Sequence, residues 1–208
     1  MKTIAVAAAK GGSGKSTIAS ALAARASKES MRIAMMDLNP DQGNLSQWWA
    51  LRGQPMNPRL ITDIENIPED VAVLEAAGFD WLILDTPPVE MDLIEQAVAV
   101  ADFVLIPVRT SMFDVSALDA LVAMCKTHRK AFGFVLSAVD SKFKKLTSQT
   151  VAALVKEGPL LASRVSYREP YIKALMAGKT GPEIEKELVS EIDGLWTEVK
   201  RLAAEAAR

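Results

Sequence analysis

Lys10-Gly11-Gly12-Ser13-Gly14-Lys15-Ser16-Thr17 is the stretch that decides the fold. It follows an apolar run over residues 4–9 and opens an Ala-rich segment of helical character at residues 15–28. Strand, glycine-rich turn and helix in that order make a phosphate cradle. Glycines let successive backbone N–H groups turn inward around oxygens, and the helix adds its N-terminal donors and positive dipole end. The spacing departs from G-x-x-x-x-G-K-[ST], because Ala9 stands where the first glycine belongs and the glycines gather at 11, 12 and 14. The chemistry survives the change. Lys15 is placed to reach the β- and γ-phosphates of a nucleotide, and the Ser16 hydroxyl to ligate Mg²⁺.

Lys10 adds a second cation five residues before Lys15, at the mouth of the loop. By position it can meet phosphate in its own subunit or in a neighbour. The pattern K-G-G-x-G-K-[ST] resembles the deviant Walker A box of the ParA/MinD class of P-loop ATPases. That resemblance implies an ATP-sandwiched homodimer, with Lys10 reaching the partner's phosphates in trans and Lys10, Lys15 and Asp37 as the catalytic set. The cofactors it implies are ATP and Mg²⁺, held by residues 10–17.

Two further stretches agree. Residues 81–85, Trp-Leu-Ile-Leu-Asp, form an apolar strand closed by an acid, and Thr86-Pro87-Pro88 follows. A buried strand that delivers a carboxylate to its C-terminal edge meets the Walker B requirement, so Asp85 is the second Mg²⁺ residue. The D-T-P-P run is similar to the family's γ-phosphate switch. Residues 31–36 read as a buried strand ending at Asp37, followed by Leu38-Asn39-Pro40-Asp41. This resembles the D-x-D-P-Q segment of ParA proteins, with Asn39 in place of its second aspartate. An amide orients water but cannot accept a proton as a carboxylate does. Slow hydrolysis is therefore expected, unless Asp41 supplies a displaced carboxylate.

Further apolar runs predict strands at 59–62, 103–108 and 132–138, and helices at 68–77, 90–100 and 183–208. Asp114 is expected to cap the helix that carries the stripe Val115, Leu118, Leu121, Val122 and Cys125. Of the adjacent Trp48 and Trp49, one should pack inward while the other flanks the loop. Residues 106–114 resemble the family's I-P-V-x-P-S-x-x-D segment, with Thr110 replacing its second proline. Ser137 stands where many relatives place an asparagine near the base, so no adenine-reading residue is assigned.

Charge is unevenly spread. Residues 126–179 hold eleven Lys and Arg against three Asp and Glu, which leaves −10 for the rest of a chain whose net charge is −2. Such a split points to a polyanion partner. The candidate DNA contacts are Lys142, Lys144, Lys145, Arg164, Arg168 and Lys173. Ser163 to Glu169 is similar to the segment that follows the last strand in short ParA proteins, near their DNA surface.

No apolar run approaches the length of a membrane span, and the single cysteine excludes an intrachain disulfide. The expected location is cytoplasmic and nucleoid-associated. Residues 183–208 carry seven acidic and four basic side chains, which disfavours an interfacial helix. The expected architecture is one α/β domain over residues 1–208, a mostly parallel sheet with helices on both faces. The expected function is an ATP-dependent dimerising ATPase that binds DNA without sequence preference and partitions plasmid, chromosome or protein cargo with a ParB-like stimulator. A membrane-associated MinD-type positioning ATPase and a weakly hydrolysing scaffold are the alternatives.

Overall fold

The computed structural model describes residues 1–8, 10–39, 43–110 and 115–206. Among them, seven strands form one sheet: β1 Lys2–Val6, β2 Ile33–Asp37, β3 Arg59–Ile61, β4 Trp81–Asp85, β5 Phe103–Arg109, β6 Ala131–Val139 and β7 Leu160–Ser166. Their order is β3-β2-β4-β1-β5-β6-β7, and every ladder is parallel. Parallel strands need crossover helices, which cover both faces, so inner strands must be apolar throughout. Accordingly β2 and β4 are buried at every position.

The helices are α1 Lys15–Ala26, α2 Asn44–Leu51, α3 Ile67–Ala76, α4 Met91–Val100, α5 Val115–Thr127, α6 Lys144–Glu157, α7 Glu169–Met176, α8 Gly181–Ile184 and α9 Val189–Glu205. One core layer joins the sheet to α1, to α9 and to Trp48 of α2. The other joins it to α3, α4, α5 and α6, with Leu118, Leu121, Val122 and Cys125 all buried as their spacing predicts. Burial pushes the Cys125 thiol up to about 12, which leaves it an inert core side chain. Trp48 is buried and donates Nε1–H to the Lys179 carbonyl at 2.8 Å, while Trp49 flanks the following loop and donates to the Pro55 and Pro58 carbonyls.

The chain leaves β1 for β2 in one half of the sheet, and leaves β4 for β5 in the other. The loops after β1, β2 and β4 therefore converge at the carboxyl edge, where open α/β sheets bind ligand.

Two expectations need correction. The helix predicted over 183–208 is broken: α8 ends at Ile184, Glu185 is extended (φ −128°, ψ 115°), and α9 begins only at Val189. A capping box between Thr180 and Glu183, with Pro182 beside it, starts a separate turn. Ile184 is consequently exposed instead of buried on the sheet. Likewise Ser163 to Ser166 lies within the last strand, not after it. This edge strand is irregular, with two register shifts against β6. Helix α9 completes its hydrogen bonding: the Ala162 and Ser163 N–H groups donate to the Glu198 carboxylate, and the Ser166 N–H donates to Glu191.

Candidate functional site: a glycine cradle at the carboxyl edge

The loop between β1 and α1 turns on Gly12 (φ 74°) and Gly14 (φ 89°), conformations that a side chain disfavours. A Cβ added at Gly11 would meet nothing within 4 Å, so the mouth of the loop is open. The Lys15 ammonium is buried, and among the described residues its one hydrogen bond goes to the Lys10 carbonyl, at a long 3.5 Å. Burial lowers its pKa, opposed by the nearby charge of Asp85. A desolvated cation held so loosely is well suited to meet phosphate.

Asp85, at the end of β4, is buried with Ser16 as its hydrogen-bond partner, and its Oδ1 has no partner among the described residues. Burial pushes its carboxyl up to about 7; the Ser16 hydroxyl and Lys15 pull it down, and Asp37 pushes it further up. Ser13 Oγ is also buried and unpartnered. Among the described residues no cluster of three or more His, Cys, Asp or Glu side chains could hold a metal alone. One hydroxyl, one carboxylate with a vacant lone pair and phosphate oxygens together suit Mg²⁺, which keeps several waters and seldom uses an all-protein cage. The residues fit Mg²⁺ bound with a nucleotide: Ser16 and Asp85 would hold it, and it would neutralise phosphate charge there.

Asp37 stands beside Asp85 in register. Its carboxylate accepts the Ser46 N–H and Oγ–H at 2.9 Å and the Asn39 N–H at 3.1 Å. It thereby fastens the first turn of α2. The cavity over the loop, about 250 Å³, is lined by residues 11–17 with Asn39, Asn44, Thr86, Pro88 and Leu175; Asp37 is not among them. Asn39 thus lines the cavity over the loop. Thr86 is fixed to β1 through Oγ1–H and N–H donation to the Val6 carbonyl, each at 3.3 Å. Asp41 and Asp114, also singled out from sequence, lie outside the described residues.

A second cavity of about 150 Å³ flanks the loop, between Gly12–Gly14 and the ends of β5, β6 and β7. Two side chains here escaped the sequence reading. Ser137 Oγ–H donates to the Ser13 carbonyl at 2.7 Å, and Arg109 Nη1–H donates to the Gly12 carbonyl at 3.1 Å. No motif signalled them. Arg109 fills the variable position of I-P-V-x-P-S, and Ser137 had been read only as a missing asparagine.

The basic candidates divide into two groups. Arg168 is claimed by Glu185 and by Glu187, and Lys173 pairs with Glu169 at 2.9 Å. Lys142, Lys144, Lys145 and Arg164 are exposed, and among the described residues none of them forms an ion pair within 4 Å. Lys144 and Arg164 line one cavity together with Ser141 and Ser148, and the carboxylates of Asp140 and Glu191 line it as well. Helix α6 starts there without a side-chain cap, so its first N–H groups face the same surface.

Sheet order, loop and acidic strand end together define a P-loop nucleotide-binding protein. The chain belongs to the CobQ/CobB/MinD/ParA nucleotide-binding domain family, whose model matches residues 4–181. It is 28% identical over 185 residues to the maintenance of carboxysome distribution protein A of Halothiobacillus neapolitanus, covering 85% of this chain and 84% of that protein. It is 29% identical over 192 residues to the chromosome-partitioning ATPase Soj of Thermus thermophilus, covering 75% and 76%. An ATP complex of McdA from Cyanothece has the same fold, with a TM-score of 0.73 at 19% identity over 98% of this chain and 96% of that one. The family is one of nucleotide-binding ATPases with partitioning members, as the resemblance at residues 10–17 implied.

Proposed function

We propose that this chain is a Mg·ATP-dependent dimerising ATPase that positions cargo by binding DNA in its ATP state. The observation that carries the reading is the cradle: Lys10 and Lys15 bracket an open glycine loop, and Ser16 and the half-satisfied Asp85 lie at its base. A single site carrying Lys10 at its mouth supports a face-to-face dimer, in which each Lys10 meets the phosphates bound by the other subunit. Asn39 at the phosphate side supports slow basal turnover, raised by DNA and a ParB-like or cargo-bound partner. The cations near α6, which form no ion pair among the described residues, support non-specific contact with DNA phosphates, and hence association with the nucleoid. Two relatives that serve carboxysomes and chromosomes support a cargo-positioning role while leaving the cargo to the partner.

Sizing by light scattering and duplex DNA binding, each with ATP, ADP and no nucleotide, tests the reading. A dimer and DNA affinity that appear together only with ATP are expected. Equal affinity in all three states would defeat it.

A further inference from the structure

Arg109 and Ser137 are register partners at the carboxyl ends of the neighbouring strands β5 and β6. Their side chains donate to two consecutive carbonyls of the glycine loop, Arg109 to Gly12 and Ser137 to Ser13. We infer that this pair consists of positioning residues, which hold the phosphate loop in its binding shape before any nucleotide arrives.

Each peptide unit is planar, so fixing a carbonyl also fixes the N–H on the other side of the same peptide. The Gly12 carbonyl belongs to the peptide whose N–H is that of Ser13, and the Ser13 carbonyl to the peptide whose N–H is that of Gly14. Drawing both oxygens toward β5 and β6 turns both N–H groups the opposite way, into the cradle. Glycines at 11, 12 and 14 make such a shape accessible but do not select it, because glycine has the most backbone freedom to lose. The two donors supply that selection. The Ser137 bond is buried, so losing it would leave the Ser13 carbonyl short of a partner in a place water reaches poorly. The Arg109 bond is charge-assisted and more exposed. Both side chains also line the 150 Å³ cavity beside the loop.

The inference rests on the nucleotide-binding reading above, and two readouts separate the fates of the two. The first is the ¹⁵N order parameter of the Ser13 and Gly14 amides in the nucleotide-free protein, which donate no hydrogen bond among the described residues and so report how firmly the loop is held. Ser137→Ala and Arg109→Ala should each lower it from a rigid ~0.85 toward ~0.6. The second is the dissociation constant of fluorescent ADP, which should weaken about tenfold in each alanine variant. Arg109→Lys and Ser137→Thr keep a donor and should recover most of both losses, with the melting temperature of all four variants near that of the parent. Arg109, lying at the surface, keeps the test alive should a Ser137 variant misfold. Unchanged order parameters in the alanine variants overturn the inference, as does equal loss in the donor-keeping variants. If the parent fails to bind ADP, the nucleotide reading falls, while the order parameters still decide whether the pair fixes the loop.

Discussion

Replacing Lys144 and Arg164 together by alanine should alter the salt dependence of DNA binding far more than replacing Arg168 and Lys173. The structure supplies the reason. Arg168 and Lys173 are already engaged by Glu185, Glu187 and Glu169, whereas Lys142, Lys144, Lys145 and Arg164 form no ion pair among the described residues. A cation held by an acid releases few counterions from DNA; an unpaired one releases nearly one per phosphate. With these four cations unpaired among the described residues of each protomer, an ATP-bound dimer offers about eight contacts, and log affinity should fall against log salt with a slope of about −7. Raising salt from 50 to 200 mM then costs about 10⁴ in affinity. Removing Lys144 and Arg164 from both protomers deletes about four contacts and halves the slope, so the same change in salt costs only about 150-fold. Fluorescence anisotropy of a labelled duplex, titrated with ATP present at several KCl concentrations, reads the slope directly. Two unrelated duplex sequences should give the same slope, since phosphate contacts carry no sequence information. The reasoning is refuted if the Arg168 and Lys173 double variant flattens the slope as much, or if the Lys144 and Arg164 variant leaves it unchanged.

Lys15→Ala should abolish ATP-dependent dimerisation because it removes the buried ammonium at the cradle, whereas Lys10→Ala should keep nucleotide affinity and lose the dimer; calorimetry and light scattering separate the two, and equal loss of affinity counts against the trans role. Asn39→Asp should raise steady-state phosphate release, since it puts a proton acceptor into the phosphate cavity; an unchanged rate would mean that hydrolysis is limited elsewhere. Glu183 is held down at about 2, despite its partial burial, by the Arg52 guanidinium and by the Thr180 N–H and hydroxyl. A carboxyl lowered on folding stabilises the fold above its unfolded pKa and loses that contribution as pH falls toward the folded value. Glu183→Gln should therefore cost about 1 kcal/mol at pH 7, after allowance for solvent screening, and nothing near pH 2. Urea titrations at pH 7, 4 and 2.5 check it; a pH-independent difference would refute the assignment.

The sheet and its phosphate loop were legible because each is written locally. Residues 4–9 and 81–85 are continuous apolar runs, and burial on both faces requires such runs. The last third was harder to read for equally physical reasons. β7 alternates buried and exposed positions weakly, because it pairs on one side only and takes its remaining partners from Glu198 and Glu191. Ile184 and Leu188 continue the four-residue spacing of α9 although Glu185 between them is extended, so periodicity ran across a break that only the Thr180–Glu183 capping box announced. Arg109 and Ser137 were invisible for another reason. Their partnership with the loop arises from the pairing of β5 with β6, and nothing in either neighbourhood of the sequence records that register.

The carboxylates of α9 also have a consequence for coexistence at high concentration. An uncovered outer strand is a template on which a strand of another molecule can grow, and growth of that kind ends in fibres. Here Glu198 and Glu191 occupy backbone donors that an incoming strand would need, and β3, at the opposite margin, is only three residues long. Molecules of this chain can therefore crowd against one another with both margins of the sheet closed to strand addition, which leaves association to surfaces whose contacts can be undone.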